Sequence, residues 1–504
     1  MRTVNSIGTD SRPSTGKPKS QMNNLNLITV LALLSWPIVA LWLYRTQPIG
    51  RAMLWTILGG YLLLPVGAYL KIPMIPQFDK SSIPTFAALL GCTVVGKRPI
   101  RFSNGFGLAE LLMLMLLVYP FITCELNGDP LSMGNAVLPA LGSYEAGSVL
   151  IGQLVTLIPF VLGRRFLCNR ADTKEILRVL VIANLGYSLL SLFEIRFSPQ
   201  LHAWIYGYFP MEGDWFGEQQ RGGGFRPAVF LGHGLLVAFF VSTGVVAAAA
   251  LWRTKTQVFD TFRLPSGMVI AYLGVLLVLC KTASALIYGV LLVFVVCLTR
   301  PRMQVGVAVA LTSLALLYPV LRSADIVPTN ATIELATSWF GSDRAASLGA
   351  RLANEDALLE RASQRFFFGW GTFGRGFVYD ESGNLVYAPD GYWVIVMGAF
   401  GFLGFLALFG LLSLPVFVAA RAVKFAETFA DKLFLSALAL IVAVNIFDLL
   451  PNSSIRPWTW LLAGALLGRS EWLLEQARFS RRSELGVYSG GQERLKVRAT
   501  LRNS

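Results

Sequence analysis

One apolar run after another, each long enough to cross a bilayer, dictates what this chain can fold into. The runs lie at 27–44, 51–70, 106–124, 147–167, 176–193, 228–252, 267–281, 283–299, 304–320, 392–419, 432–450 and 457–474. About 20 apolar residues in a helix suffice to cross the hydrocarbon core. The fold class is therefore all-α, a polytopic membrane helix bundle of about twelve spans. A shorter run at 84–96 holds too few apolar residues to cross comfortably and reads as a re-entrant or in-plane piece, so its assignment sets the parity of the count. Only 14% of the 504 residues are charged, against roughly 25% in ordinary soluble domains, which excludes a soluble globular protein. The five cysteines stand singly, without CxxC spacing, so neither a disulfide framework nor a thiolate metal cluster is expected. With only His202 and His233 present, a zinc site is not expected either.

The net charge of +14 is informative through its placement, which points away from nucleic acid. Short cytoplasmic loops carry an excess of Lys and Arg. The basic segments are 97–101, 164–174, 253–263, 300–302, 421–424 and the tail with Arg478, Arg481, Arg482, Arg494, Lys496, Arg498 and Arg502, and they alternate under a twelve-span reading. The polar segment 1–26, with Arg2, Arg12, Lys17 and Lys19, lacks a small-residue cleavage site and reads as a retained cytoplasmic tail. The expected organisation is a cytoplasmic tail (1–26), a membrane region with the first outer loops (27–320), a long outer loop (321–390), C-terminal spans (391–474) and a second cytoplasmic basic tail (475–504). Both termini are then cytoplasmic, and the loops 125–145, 195–226 and 321–390 face outward.

Within those outer loops the choice of cation is selective. Arg196, Arg221 and Arg226 occupy 195–226, and Arg322, Arg344, Arg351, Arg361, Arg365 and Arg375 occupy 321–390, while neither loop holds a lysine. Sorting by charge penalises both cations outside, so arginines retained there imply a use for a planar fork, such as phosphate or carboxylate recognition. The plainer reading is pairing with acidic neighbours such as Asp343, Glu355, Asp356 and Glu360.

Two glycine-rich turns accompany the arginines. Arg221-Gly222-Gly223-Gly224-Phe225-Arg226-Pro227 leads into a run containing His233-Gly234, and glycines there allow close backbone approach to an anion. His233 reads as a group at the mouth of a span or as a packing histidine. Phe368-Gly369-Trp370-Gly371-Thr372-Phe373-Gly374-Arg375-Gly376 is the second turn. Between them, Ser342-Asp343 reads as a helix start. Arg344, Ser347, Arg351 and Glu355 then fall at i, i+3, i+7 and i+11 on one stripe, giving an amphipathic helix at the outer membrane surface or an ordinary solvated face. Lys281, at the end of an apolar run, either snorkels or joins the anion site. Glu110, Asn184, Asn445 and Asp448 read as helix glue or as part of a conduit.

The long outer loop, the Arg-Gly-Gly-Gly-Phe-Arg-Pro segment before His233-Gly234, the Arg344, Arg351 and Glu355 stripe and the Phe-Gly-Trp-Gly turn resemble the O-antigen ligase / O-antigen polymerase superfamily of bacterial envelope proteins. The resemblance covers roughly residues 100–475. It implies a multi-pass protein of the bacterial inner membrane with a periplasmic loop. It also implies a glycosyltransferase without metal or other cofactor, moving a glycan from an undecaprenyl-pyrophosphate donor to a glycan acceptor or to a lipid A core. Ligases carry a paired-histidine motif in the long loop. No histidine lies in 321–390, a departure that favours polymerisation of O-antigen or exopolysaccharide repeat units over ligation. Implied partners are the lipid-linked donor, the glycan acceptor, membrane lipid, and chain-length regulator and export proteins. The chemistry of the residues agrees: displacing pyrophosphate needs positive charge where negative charge develops and a base near the acceptor hydroxyl. Arg221, Arg226, Arg344, Arg351, Arg375 and Lys281 are the candidate pyrophosphate ligands, and Asp390, Glu355 and His233, in that order, the candidate bases. A flippase or other transporter is the alternative of another class, for which internal repeats and ionisable groups near the midplane are expected. A non-catalytic scaffold would not require lysine-free, arginine-bearing loops.

Overall fold

The computed structural model describes residues 23–71, 77–97, 105–210, 215–261, 264–387, 389–453 and 455–484. The tails at 1–22 and 485–504, Arg98 and Arg101 of the first basic loop, and Arg263 lie outside the described residues.

Helices account for most of the chain. In order they are α1 (Leu27–Thr46), α2 (Ile49–Leu63), α3 (Ser82–Val95), α4 (Leu108–Glu125), α5 (Ser143–Phe166), α6 (Arg170–Phe197), α7 (Gly234–Arg253), α8 (Ser266–Leu279), α9 (Ala283–Leu298), α10 (Pro301–Ser323), α11 (Thr329–Phe340), α12 (Ser342–Ser363), α13 (Tyr392–Ala422), α14 (Phe429–Asp448) and α15 (Pro457–Glu484). Among the described residues, eight are long and apolar enough to cross a membrane: α1, α4, α5, α6, α7, α10, α13 and α14. The chain is thus built as a multi-pass helical membrane protein. α2, α3, α8 and α9 are apolar but shorter, and α3 covers the run at 84–96. α15 has the length of a span and overlaps the run at 457–474, yet Arg469, Glu471 and Glu475 reduce its apolarity.

Two of those charges, Arg469 and Glu471, are paired inside the bundle. Arg469 donates to Asp431 at 2.8 Å with both side chains buried, and Arg164 of α5 bridges Glu471 and Glu110 at 2.8 Å each. Glu110 also accepts from the Gly107 N–H at the start of α4. α5 and α15 cross in close backbone contact, because a Cβ on Gly464 or Gly468 would lie about 2 Å from the carbonyl of Phe160 or Arg164, the small-residue packing that suits helices in lipid. Asn445 accepts from Thr459, and Asn184 donates to the Leu180 carbonyl against Gly244. Of the polar groups inside the runs, Glu110 and Asn445 hydrogen-bond across helices, whereas Asn184 bonds within its own helix.

The described parts of the connections at 195–226 and 321–390 carry secondary structure. The first contains an antiparallel hairpin, β3 (Gln220–Arg221) with β4 (Gly224–Phe225), and another short hairpin, β1 (Leu131–Met133) with β2 (Ala136–Leu138), precedes α5. The 321–390 segment forms α11 and α12, then a strap at 366–371 that lies against a break in α13. At that break Gly401 has φ 66°, and Trp370, Gly371 and Phe402 exchange backbone hydrogen bonds across the two segments with Gly398, Ala399 and Phe366. A Cβ on Gly401 would lie 2.4 Å from the Phe367 carbonyl carbon, so only glycine allows this close approach.

Candidate functional site

A cavity of about 690 Å³ opens where the two long connections meet the ends of α7, α9 and α14. Its wall is unusually polar for a chain of this composition. Arg221, Arg226, Lys281, Arg351 and Arg456 face Glu218, Asp390 and Asp448, with His233 between them and Leu236 and Phe239 at the apolar side.

Local sequence explains each placement. Gly222 and Gly223 both take positive φ, 54° and 69°, the two-residue turn that a tight hairpin requires, and the hairpin presents Arg221 at its rim. Lys281, itself at φ 50°, donates from Nζ to the carbonyls of Arg221 at 2.8 Å and Gly222 at 3.1 Å, pinning the hairpin to the start of α9. The following strap is held from below by Glu194. One Glu194 oxygen accepts from the Ala228 and Val229 N–H groups at 2.8 and 2.7 Å, and the other from Leu201 at 3.1 Å. The same strap keeps 228–232 out of the helix, so α7 begins at Gly234.

Arg226 is 2% exposed; it donates to the Thr282 hydroxyl at 3.0 Å, and its Nε is buried without a hydrogen-bond partner among the described residues. Burial, and then the neighbouring Arg221, push its pKa down to about 10, which leaves it charged at neutral pH. A buried guanidinium with an unpaired donor at the wall of a cavity is chemically suited to an anionic group.

His233 caps α7. Its Nδ1 accepts from the Leu235 N–H at 3.1 Å while Nε2 lies 3.4 Å from Glu218. Burial and Arg226 lower its pKa, so the ring is neutral with its proton on Nε2. In that tautomer no lone pair is left for a substrate proton.

On the opposite wall α12 contributes Ser347, Leu348 and Arg351. Arg351 Nε lies 3.7 Å from Asp390, both partly exposed. The predicted stripe therefore turns toward the cavity and the bundle. One further turn along, Glu355 is buried under Tyr318, which donates to it at 3.0 Å, and near Trp393 at 3.4 Å. Burial raises its pKa, and it does not line the cavity. The Arg344 side chain lies outside the described residues.

Arg375 is also elsewhere. It is 2% exposed and donates to the carbonyls of Pro139, Asp129 and Trp370 at 2.7, 3.0 and 3.2 Å, tying the second glycine-rich turn to the β1–β2 segment. Arg361 and Arg365 hold Trp370 between them, at 3.4 and 4.4 Å from the ring centre. Arg322 is buried against Asp356 at 2.8 Å and the Leu352 carbonyl. Of these four only Arg322 makes the expected pair with an acidic neighbour; Arg361, Arg365 and Arg375 meet carbonyls, amide side chains and the Trp370 ring instead. The cavity instead gains Glu218, Asp448 and Arg456, with Arg456 3% exposed and 3.2 Å from Asp448. Arg456 sits in another short, lysine-free connection, 451–456, and the arginine bias used for the longer loops applied there too.

No family model matches the chain, and no curated protein does either.

Proposed function

We propose that this cavity binds the pyrophosphate of a polyprenyl-linked glycan and that the protein is a metal-independent glycosyltransferase extending an envelope polysaccharide. The observation that carries this reading is the convergence of arginines from three separate connections, Arg221 with Arg226, Arg351, and Arg456, on one cavity in which the Arg226 guanidinium has an unmet donor.

The chemistry follows from charge. The acceptor hydroxyl oxygen bonds to the anomeric carbon as the bond from that carbon to the pyrophosphate oxygen breaks, and the leaving polyprenyl pyrophosphate takes the electron pair. Arg221 and Arg226 stabilise the charge that develops on it. The hydroxyl proton passes to Asp390, the one of the three candidate bases that both lines the cavity and keeps an available lone pair. A single displacement of this kind inverts the anomeric carbon. Lys281 acts on the hairpin, Glu355 and His233 support the walls, and Arg375 holds the second glycine-rich turn away from the cavity. In this reading the spans number twelve, both termini are cytoplasmic, the membrane is the bacterial inner membrane, and the cavity faces the periplasm, where chain-length regulator and export proteins are the expected partners.

Purified full-length protein, given polyprenyl-pyrophosphate oligosaccharides in the presence of a chelator and without ATP, should yield longer glycans and free polyprenyl pyrophosphate. Failure to bind or consume the donor overturns the reading, as does strict dependence on a divalent ion. Retained anomeric configuration in the product overturns the single displacement.

A further inference from the structure

The Arg456 side chain borders a second space. Besides the main cavity it lines a hollow of about 220 Å³ between α3, α5 and the start of α15. The two hollows differ in chemistry. The first is lined by guanidinium, ammonium and carboxylate groups; the second by Gln77, Asp79, Ser82, Thr85, Thr156 and Trp460, with Asp79 its one acidic group and Arg456 its one cation among the described residues.

Three features point to a ligand in the smaller space. First, Trp460 is 2% exposed, lines the hollow, and its indole N–H is buried without a hydrogen-bond partner among the described residues. A buried tryptophan N–H normally finds an acceptor. Second, several hydroxyls converge there with an oxygen still able to accept: Thr85 and Thr156 donate to the carbonyls of Ser81 and Gly152 and remain acceptors. Third, Gly152 lines the same wall from mid-helix, where a Cβ would meet nothing within 4 Å. Glycine is less stable than alanine in a helix interior, so this one keeps space open at some expense in helix stability.

An anion is disfavoured beside Asp79, and a wholly apolar ligand would leave the polar groups unmet. Many hydroxyls presenting both donors and acceptors, together with a flat C–H face for the indole and proline rings, describe a saccharide. The volume lies below the usual range for drug-sized ligands, about 300–1,000 Å³, and suits a single ring. We infer that this hollow is a subsite for one neutral sugar ring, with Arg456 at the junction between the sugar and the pyrophosphate cavity. The inference rests on the glycosyltransferase reading for the source of that ring, either the donor's repeat unit or the acceptor's glycan.

Gly152→Leu tests it, because the added side chain enters open space and should favour helix α5. Gly147→Leu, in the same helix and also unobstructed, is the control. Saturation-transfer NMR on the detergent-purified full chain with glucose, galactose, mannose and N-acetylglucosamine reads binding without turnover. At least one sugar should bind to the natural protein and to Gly147→Leu and be lost in Gly152→Leu; no binding by any, or equal binding by Gly152→Leu, overturns the subsite. In the elongation assay, Gly152→Leu should raise the KM for one substrate by about tenfold or more with the other nearly unchanged. A rise for acceptor assigns the ring to the acceptor, and a rise for donor assigns it to the donor. Unchanged values for both overturn the inference in an active enzyme. Sugar binding in a protein that does not elongate glycans would instead retain the subsite and remove the proposed reaction.

Discussion

Arg351 of α12 and Asp390, at the entry to α13, face each other across 3.7 Å at the rim of one cavity, although 39 residues of chain separate them. The pair joins the cationic stripe of the 321–390 segment to the one candidate base that borders the same space. Asp390→Asn keeps the size and some hydrogen bonding but removes the proton acceptor. Turnover should fall by roughly 10²–10⁴ with donor binding largely kept, as measured by single-turnover elongation beside a donor-binding titration. Unchanged turnover moves the base to Glu218 or Asp448.

His233 provides a contrast, because its ring nitrogen serves as a helix cap. Asparagine caps helices well, whereas alanine costs about 0.5–2 kcal/mol. Thermal unfolding should therefore show His233→Asn close to the natural protein and His233→Ala less stable by an amount in that range. Elongation by His233→Asn should stay within a few fold. If the imidazole were the base, both variants would be inactive.

Much of this was legible in the sequence, and the gaps have physical causes. The apolar runs locate the spans because burial in lipid demands them, yet helix ends escape that signal. α6 continues from 170 to 197 through polar residues that still hydrogen-bond as helix, and α7 starts at Gly234 because Glu194 binds the backbone of the preceding strap. The spacing of Ser347 and Arg351 put them on one face, as found. Spacing could not separate Arg226, which meets one hydroxyl, from Arg375, which meets three carbonyls, since those carbonyls belong to segments far away in sequence.

Glu355 makes a pH-dependent prediction. Its folded-state pKa is raised by burial above an unfolded value of about 4.3. The folded state then binds the proton more tightly, so this contribution to stability is complete below the unfolded pKa and is lost as pH rises through the folded value. Glu355→Gln can still accept from Tyr318 and should remove that loss. The stability advantage of the natural protein at low pH over neutral pH should shrink in the variant, with turnover within a few fold. A steep fall in turnover at unchanged stability would return Glu355 to the list of bases.

Orientation is checked at Ser382, exposed in the turn between Asp380 and Asn384. Cys92, Cys124, Cys168 and Cys280 are buried and Cys297 is half-buried, so background labelling is read from the unsubstituted protein and from Cys297→Ser. Ser382→Cys should react with a membrane-impermeant maleimide in intact spheroplasts. Reaction only after permeabilisation would place the cavity on the cytoplasmic side and remove the periplasmic reaction with it.

The two buried arginines offer the sharpest separation of ligand binding from packing. Lysine supplies a point charge and cannot reproduce a fork. In Arg226→Lys the bond to Thr282 and the unmet Nε donor are lost together, so the donor KM should rise by about tenfold or more, with a stability loss no larger than that of one such hydrogen bond. In Arg375→Lys one ammonium must replace three guanidinium bonds to Pro139, Asp129 and Trp370. Hydrogen bonds to charged groups are worth about 1.5–3 kcal/mol each, so stability should drop by a comparable amount while the donor KM of the folded fraction holds. Paired elongation kinetics and thermal unfolding on both variants read the difference. Loss of donor affinity in Arg375→Lys at full stability would return Arg375 to the pyrophosphate ligands, and an unaltered KM in Arg226→Lys would leave the cavity without its anion receptor.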